Sequence, residues 1–337
     1  MTIAAIIRPS LGAVSALFLV VGLAGCGQDA PEVTVSGAAG PPATADTPRR
    51  LAFVTNLPAD FWNIARAGVE AADGELPDYI VEFRNGDGTA ARQKEIVEDV
   101  LVKGVVGIAI SPVDAGNQTA MIDRAADKAL VVCQDSDAPA SKRAFYLGTD
   151  NIAAGRAAGE LLKQALPDGG KVMVFVGKRD QRNARERFQG LNEAVQGSRI
   201  TILDLRADDG DRARAKANAA DTLVKHPDLA GMVGLWAYNA PAILHALKDA
   251  GRLRGIKVVA FDEEDETLAG IASGAVHGSV VQQPYEFGYR SVHLMARHLA
   301  GDTAFVPSDK LMFVPTEVIT AGNIAAFRSR LATMRGK

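Results

Sequence analysis

Residues 51–69 read LAFVTNLPADFWNIARAGV, and the change of rhythm inside them decides the fold. Leu51, Ala52, Phe53, Val54 and Thr55 form an apolar run of strand length. After it, Asp60 stands where a helix cap belongs, and Phe61, Ile64, Ala65 and Val69 recur on one helical face. A strand passing straight into an amphipathic helix is the first half of a βαβ unit.

The unit repeats outward from there. Strands are predicted over 79–83, 105–110 (stopped by Pro112), 130–132 and 145–148, with helices over 89–102 and 115–128 between them. From Asn151 the alternation starts again. Helices are predicted over 151–165, 184–195, 211–225, 241–250 and 285–299, and strands over 172–176, 200–205, 232–235, 258–261 and 276–282. Repeated strand–helix–strand units force parallel pairing, and right-handed crossovers place helices on both faces. The expected fold class is therefore α/β, with two doubly wound parallel-sheet lobes joined by a multi-strand hinge. The expected boundaries are 50–149 plus 283–311 for the first lobe and 150–282 plus 312–337 for the second. The chain is expected to cross between lobes near Thr149 and Asp150, near Gln282, and at 310–314.

The N-terminus carries a different signal. Arg8 precedes an apolar run over 11–21, and Leu23, Ala24 and Gly25 lead into Cys26. These are the basic, apolar and small-residue parts of a secretory signal. The run is too short for a membrane span, which needs roughly 20 apolar residues. Leu23 to Cys26 resembles the bacterial lipobox, which implies a signal peptide over 1–25, cleavage before Cys26, lipidation of that cysteine and a membrane-anchored, extracytoplasmic protein. Residues 26–49, rich in Ala, Pro, Gly and Thr, read as a flexible linker.

Composition narrows the rest. A net charge of −3 offers no basic footprint for nucleic acid. With Cys26 lipidated, the other cysteine, Cys133, has no partner and reads as a buried strand thiol. The five histidines are scattered, so neither a metal site nor a catalytic role is assigned; Asp87, in a Gly-rich turn, lacks the glutamate spacing of a calcium loop. No G-x-G-x-x-G follows the first strand and no G-x-S-x-G occurs, so no nucleotide cofactor is expected.

Ligands of doubly wound sheets bind beyond the carboxyl ends of the strands. Those ends carry Asn56 with Phe61 and Trp62, Ser111, Asp135 with Ser136, the run Asn183, Ala184, Arg185, Glu186, Arg187, then Trp236, Asp262, and Gln282 before Pro284. Planar polar groups beside rings suit a sugar, whose hydroxyls donate and accept while its C–H faces lie on aromatics. Asp262 opens the acidic run 262–266, and the rest of that run reads as a solvated helix start.

On Phe61, Trp62, the Thr149-Asp150-Asn151 crossover, the 184–187 run, Phe261, Asp262 and Gln282, the chain from 51 to about 319 resembles the bacterial ribose-type periplasmic sugar-binding proteins. These are type I periplasmic binding proteins, the solute receptors of ABC importers. The resemblance implies that Phe61 and Trp62 sandwich the sugar, that Asp135 and Arg185 bind hydroxyls from opposite lobes, and that Asp262 and Gln282 bind the remainder. Ser111, Ser136 and Trp236 depart from the family, which has asparagine, arginine and asparagine there, so a sugar other than ribose is implied. The expected partners are a small sugar, an ABC permease and, through lipid on Cys26, a membrane; a monomer is expected. A sensor that feeds a chemoreceptor or kinase is the alternative, and a carbohydrate-active enzyme a more remote one.

Overall fold

The computed structural model describes residues 47–335. The signal segment 1–25, the lipidation site Cys26 and most of the linker lie outside the described residues. The first series of elements is β1 (Arg49–Val54), α1 (Phe61–Glu75), β2 (Tyr79–Arg84), α2 (Ala90–Val102), β3 (Val105–Ile110), α3 (Ala115–Ala126), β4 (Leu130–Gln134) and β5 (Tyr146–Gly148). The second is α4 (Asn151–Ala165), β6 (Gly170–Val176), α5 (Arg182–Val195), β7 (Ile200–Ala207), α6 (Arg212–Lys225), β8 (Leu229–Gly234), α7 (Asn239–Asp249), β9 (Lys257–Phe261), α8 (Asp265–Ser273) and β10 (Gly278–Val281). The chain ends with α9 (Pro284–Leu299), β11 (Leu311–Phe313), β12 (Glu317–Thr320) and α10 (Ile324–Met334).

Two six-stranded sheets result, ordered β11-β5-β4-β3-β1-β2 and β12-β10-β9-β8-β6-β7. Alternation along the strands shows why both are doubly wound. Leu51 and Phe53 enter one core while Ala52 and Val54 enter another on the opposite face. Met173 and Phe175 likewise part from Val172, Val174 and Val176. A strand buried on both faces needs helices on both sides of its sheet.

The chain passes between the sheets three times: after β5, after β10 and after β11. The third passage falls within the expected 310–314, and only the lobe boundary moves. Leu311, Met312 and Phe313 pair with Tyr146, Leu147 and Gly148 of the first sheet, so the chain leaves it after Phe313 rather than between 311 and 312. The second sheet is also not wholly parallel, because β12 runs antiparallel to β10. β10 leads into the second passage and β12 leads out of the third, so β10 runs toward the hinge and β12 away from it, which makes the pair antiparallel.

Helices are set against each other by glycine. A Cβ at Gly155 in α4 would lie 2.1 Å from the Arg187 carbonyl in α5, and one at Gly190 would lie 2.0 Å from the Ile152 carbonyl. Gly68 in α1 and Gly288 in α9 make the matching close approach in the first lobe. Asp114, Asp150 and Asp211 cap α3, α4 and α6. Asp60 makes no such cap on α1, because its backbone is already helical; its carboxylate accepts from the Asn63 side chain instead, at 3.3 Å. Cys133 is a free, buried thiol, pushed by burial up to about 12. No helix among the described residues is long and apolar enough to cross a membrane.

Candidate functional site

Between the carboxyl ends of the two sheets lies a pocket with about 440 Å³ of empty space, part of it open to solvent. Asn56, Leu57, Phe61, Trp62 and Asp135 line it from the first lobe; Gln181, Asn183, Arg187, Trp236, Tyr238 and Asp262 from the second; Gln282 from the passage between them.

Asp135 and Asp262 follow β4 and β9, and both stand in the left-handed backbone region, with φ of 58° and 63°. That conformation is costly for a residue with a side chain, about 1–2 kcal/mol, and Asp is among the few that adopt it. Each carboxylate is then held at one oxygen. Asp135 Oδ2 accepts from Ser111 Oγ at 2.7 Å and from Asn56 Nδ2 at 3.4 Å. Asp262 Oδ1 accepts from Gln282 Nε2 at 3.0 Å. Burial pushes Asp135 up to about 6 and raises Asp262 too; the Arg187 guanidinium pulls both downward.

Arg187 reaches the pocket along α5. Its Nε donates to Asn151 Oδ1 at 2.9 Å, its Nη1 to the Leu235 carbonyl at 2.8 Å, and its flat face lies 4.6 Å from the centre of the Phe261 ring. Arg185 was the expected ligand group and lies elsewhere: it is exposed and donates to the Asp180 carbonyl. Two residues along a helix are turned by about 200° relative to each other, so Arg185 and Arg187 cannot share a face.

The aromatic residues gather as expected, with added detail. Trp62 is buried, its Nε1 donating to Asn56 Oδ1 at 3.1 Å, and Phe61 packs edge-on against it at 4.9 Å. Trp236 packs against Gly177, where a Cβ would fall 1.9 Å from the ring. Tyr238 joins it at 6.3 Å, its hydroxyl donating to the buried Asp208 at 2.5 Å. Ser111 does not line the pocket; it orients Asp135 from behind. At the passage, Thr149 Oγ1 donates to Gln282 Oε1 at 2.9 Å, and Asp150 caps α4. Glu263 departs from the solvated start expected of its run. It is buried at 4 % exposure, its Oε2 has no partner among the described residues, and burial beside Asp262 holds it well above the carboxylate range.

Four buried polar atoms on pocket residues have no partner among the described residues: the donors Arg187 Nη2 and Trp236 Nε1, and the acceptors Gln181 Oε1 and Asn183 Oδ1. A buried polar atom without a partner costs about 1–3 kcal/mol, so four around one pocket mark a surface shaped to hydrogen-bond something else. The residues absent from the expected set had unequal signals. Asn56 stands just after β1, Asn183 lies in the first turn of α5, and Arg187 lies at helical spacing from Asn183. Gln181 and Tyr238 carried none, since their place depends on loop paths. Among the described residues, no group of three His, Cys, Asp or Glu gathers to hold a metal.

Three comparisons show the family and the fold. Residues 52–303 match the model of the periplasmic binding protein domain, so the chain belongs to that family. It is similar to the D-ribose/D-allose-binding protein of Pseudomonas aeruginosa, with 25 % identity over 288 residues that cover 82 % of this chain and 90 % of that one. Two crystal structures share the fold. One is GanP, a glucose-galactose binding protein from Geobacillus stearothermophilus (28 % identity, TM-score 0.77, covering 82 % of this chain and 98 % of that one). The other is an ABC transporter solute-binding protein from Burkholderia graminis in complex with D-arabinose (26 % identity, TM-score 0.77, 83 % and 98 %).

Proposed function

We propose that this protein captures a monosaccharide-sized, polyhydroxylated ligand between its lobes outside the cytoplasm and delivers it to an ABC importer, acting as a receptor and not as an enzyme. The observation that carries the reading is the set of unpartnered atoms, two donors and two acceptors on one pocket that rings also line. Sugar hydroxyls supply both donors and acceptors, and the ring's C–H face lies against aromatics. The names of the relatives support the same class of ligand.

In this reading Phe61, Trp62, Asp135, Arg187, Trp236, Asp262 and Gln282 contact the sugar, with Ser111 as a positioning residue. Thr149, Asp150 and Gln282 mark the hinge, and the two lobes follow the three passages of the chain. Closure draws on contacts made only when the lobes meet. Lys178 Nζ donates to the Gly88 carbonyl at 2.9 Å, and Gln181 Nε2 to the Pro112 carbonyl at 3.4 Å. Lipid on Cys26 would tether the receptor through the linker, and Cys26→Ser should release it without altering binding. Calorimetry with a panel of pentoses and hexoses tests the central claim: heat of binding from at least one sugar is expected, and silence from all of them would sink it.

A further inference from the structure

The charges around the pocket do not balance. Of the side chains that line it, Asp135, Asp262 and Arg187 carry formal charge, two negative and one positive, and each is no more than 5 % exposed. Arg187 makes no ion pair among the described residues, its Nε and Nη1 being taken by Asn151 and the Leu235 carbonyl. A third carboxylate, Asp208, sits one hydrogen bond behind Tyr238. Of the nearby cations, Arg182 pairs with Glu186, Lys178 donates to the Gly88 carbonyl, and Arg212 pairs with Glu264 while its guanidinium lies 5.4 Å from the centre of the Tyr238 ring, so Phe61, Trp62 and Trp236 are the rings left to a ligand. A neutral sugar would meet the hydrogen-bonding groups yet leave this buried negative excess in place, which is costly away from water.

The other two properties of the pocket point the same way. Beyond the two donors and two acceptors that stand unpartnered, Asp135 and Asp262 each keep one oxygen outside the hydrogen bonds described above, so the carboxylates add acceptors to the pocket. The rings of Phe61, Trp62 and Trp236 line the same space. An ammonium group has three donors and no acceptor, and aromatic faces attract cations.

We propose that the natural ligand of this site is an amino sugar, a polyhydroxylated ring bearing a protonated primary amine, held between the two carboxylates and the rings. The inference rests on the sugar-binding reading above and narrows it. Its test uses matched pairs on the intact protein at neutral pH: D-glucosamine with D-glucose, D-galactosamine with D-galactose, and D-mannosamine with D-mannose, together with the N-acetylated, uncharged derivatives. Calorimetry should show at least one amine binding about tenfold or more tighter than both its hydroxyl parent and its N-acetyl form. In Asp262→Asn, or in Asp135→Asn should the first variant misfold, the preference should fall to near parity because the charge excess is gone. Neutral sugars that bind as tightly as their amines, or more tightly, overturn the inference and leave sugar binding standing. Silence from every member overturns the inference, and silence from the pentoses as well overturns the sugar-binding reading with it.

Discussion

Arg187→Lys separates this site from any arrangement in which a positive charge alone suffices. The guanidinium does three things at once: it bonds Asn151, bonds the Leu235 carbonyl and lies over Phe261, and in doing so it aims Nη2 at the pocket. Lysine keeps the charge, so Asp135 and Asp262 retain a cation between them. Its ammonium is a point donor on a flexible stem and cannot reproduce the planar fork. One buried acceptor, Asn151 Oδ1 or the Leu235 carbonyl, is then left unpaired, at a cost of about 1–3 kcal/mol in stability. The ligand loses a charge-assisted hydrogen bond worth about 1.5–3 kcal/mol, which corresponds to roughly a 10- to 150-fold rise in Kd. Urea unfolding measures the first number and titration calorimetry with a sugar that binds the wild type measures the second. Arg185→Ala is the control: exposed and outside the pocket, it should move stability by less than about 0.5 kcal/mol and leave affinity unchanged. Arg187→Lys binding like the wild type, or Arg185→Ala losing affinity as severely, would refute the assignment.

Three further outcomes follow from the same geometry. Gln181→Ala removes both the bond to Pro112 across the lobes and the Oε1 acceptor, so dissociation should speed up about tenfold with little change in association; fluorescence of Trp62 and Trp236 in stopped flow reads it, and an unchanged off-rate counts against the contact. Gly155→Ala drives a methyl into the Arg187 carbonyl, so urea unfolding should show a loss of about 1–3 kcal/mol, with weaker binding as α5 shifts; wild-type values for both would show that the helices can part freely. Burial lifts Asp135 from 3.8 to about 6, so folding favours its protonated form. Its contribution to stability is therefore full below about pH 4 and is lost as pH rises through about 6, a change of about 3 kcal/mol. Stability measured against pH should slope less in that window for Asp135→Asn than for the wild type, and identical slopes would contradict the buried, raised carboxyl.

Much of this was legible in the residues alone. Apolar runs such as 51–55 and 172–176 have one stable use, a strand covered on both faces, and the amphipathic stretches between them are those covers. Strand ends are where a doubly wound sheet binds, so Asp135, Trp236 and Asp262 could be singled out by position along the chain. That logic weakens once the chain leaves the strand. On α5 it fixed a neighbourhood but not a face, and the choice between Arg185 and Arg187 turned on helical phase, which the close packing at Gly155 and Gly190 sets. The buried place of Glu263 and the entry of Gln181 and Tyr238 into the pocket depend on loops whose path no periodicity records. Local pattern determined the two lobes and the edge they use, because backbone hydrogen bonding and apolar burial are repetitive and short in range. Which atoms stand unpaired around the pocket, and the surplus of negative charge among them, was decided by tertiary structure, because those properties belong to groups that are distant in sequence and meet only when both lobes are in place.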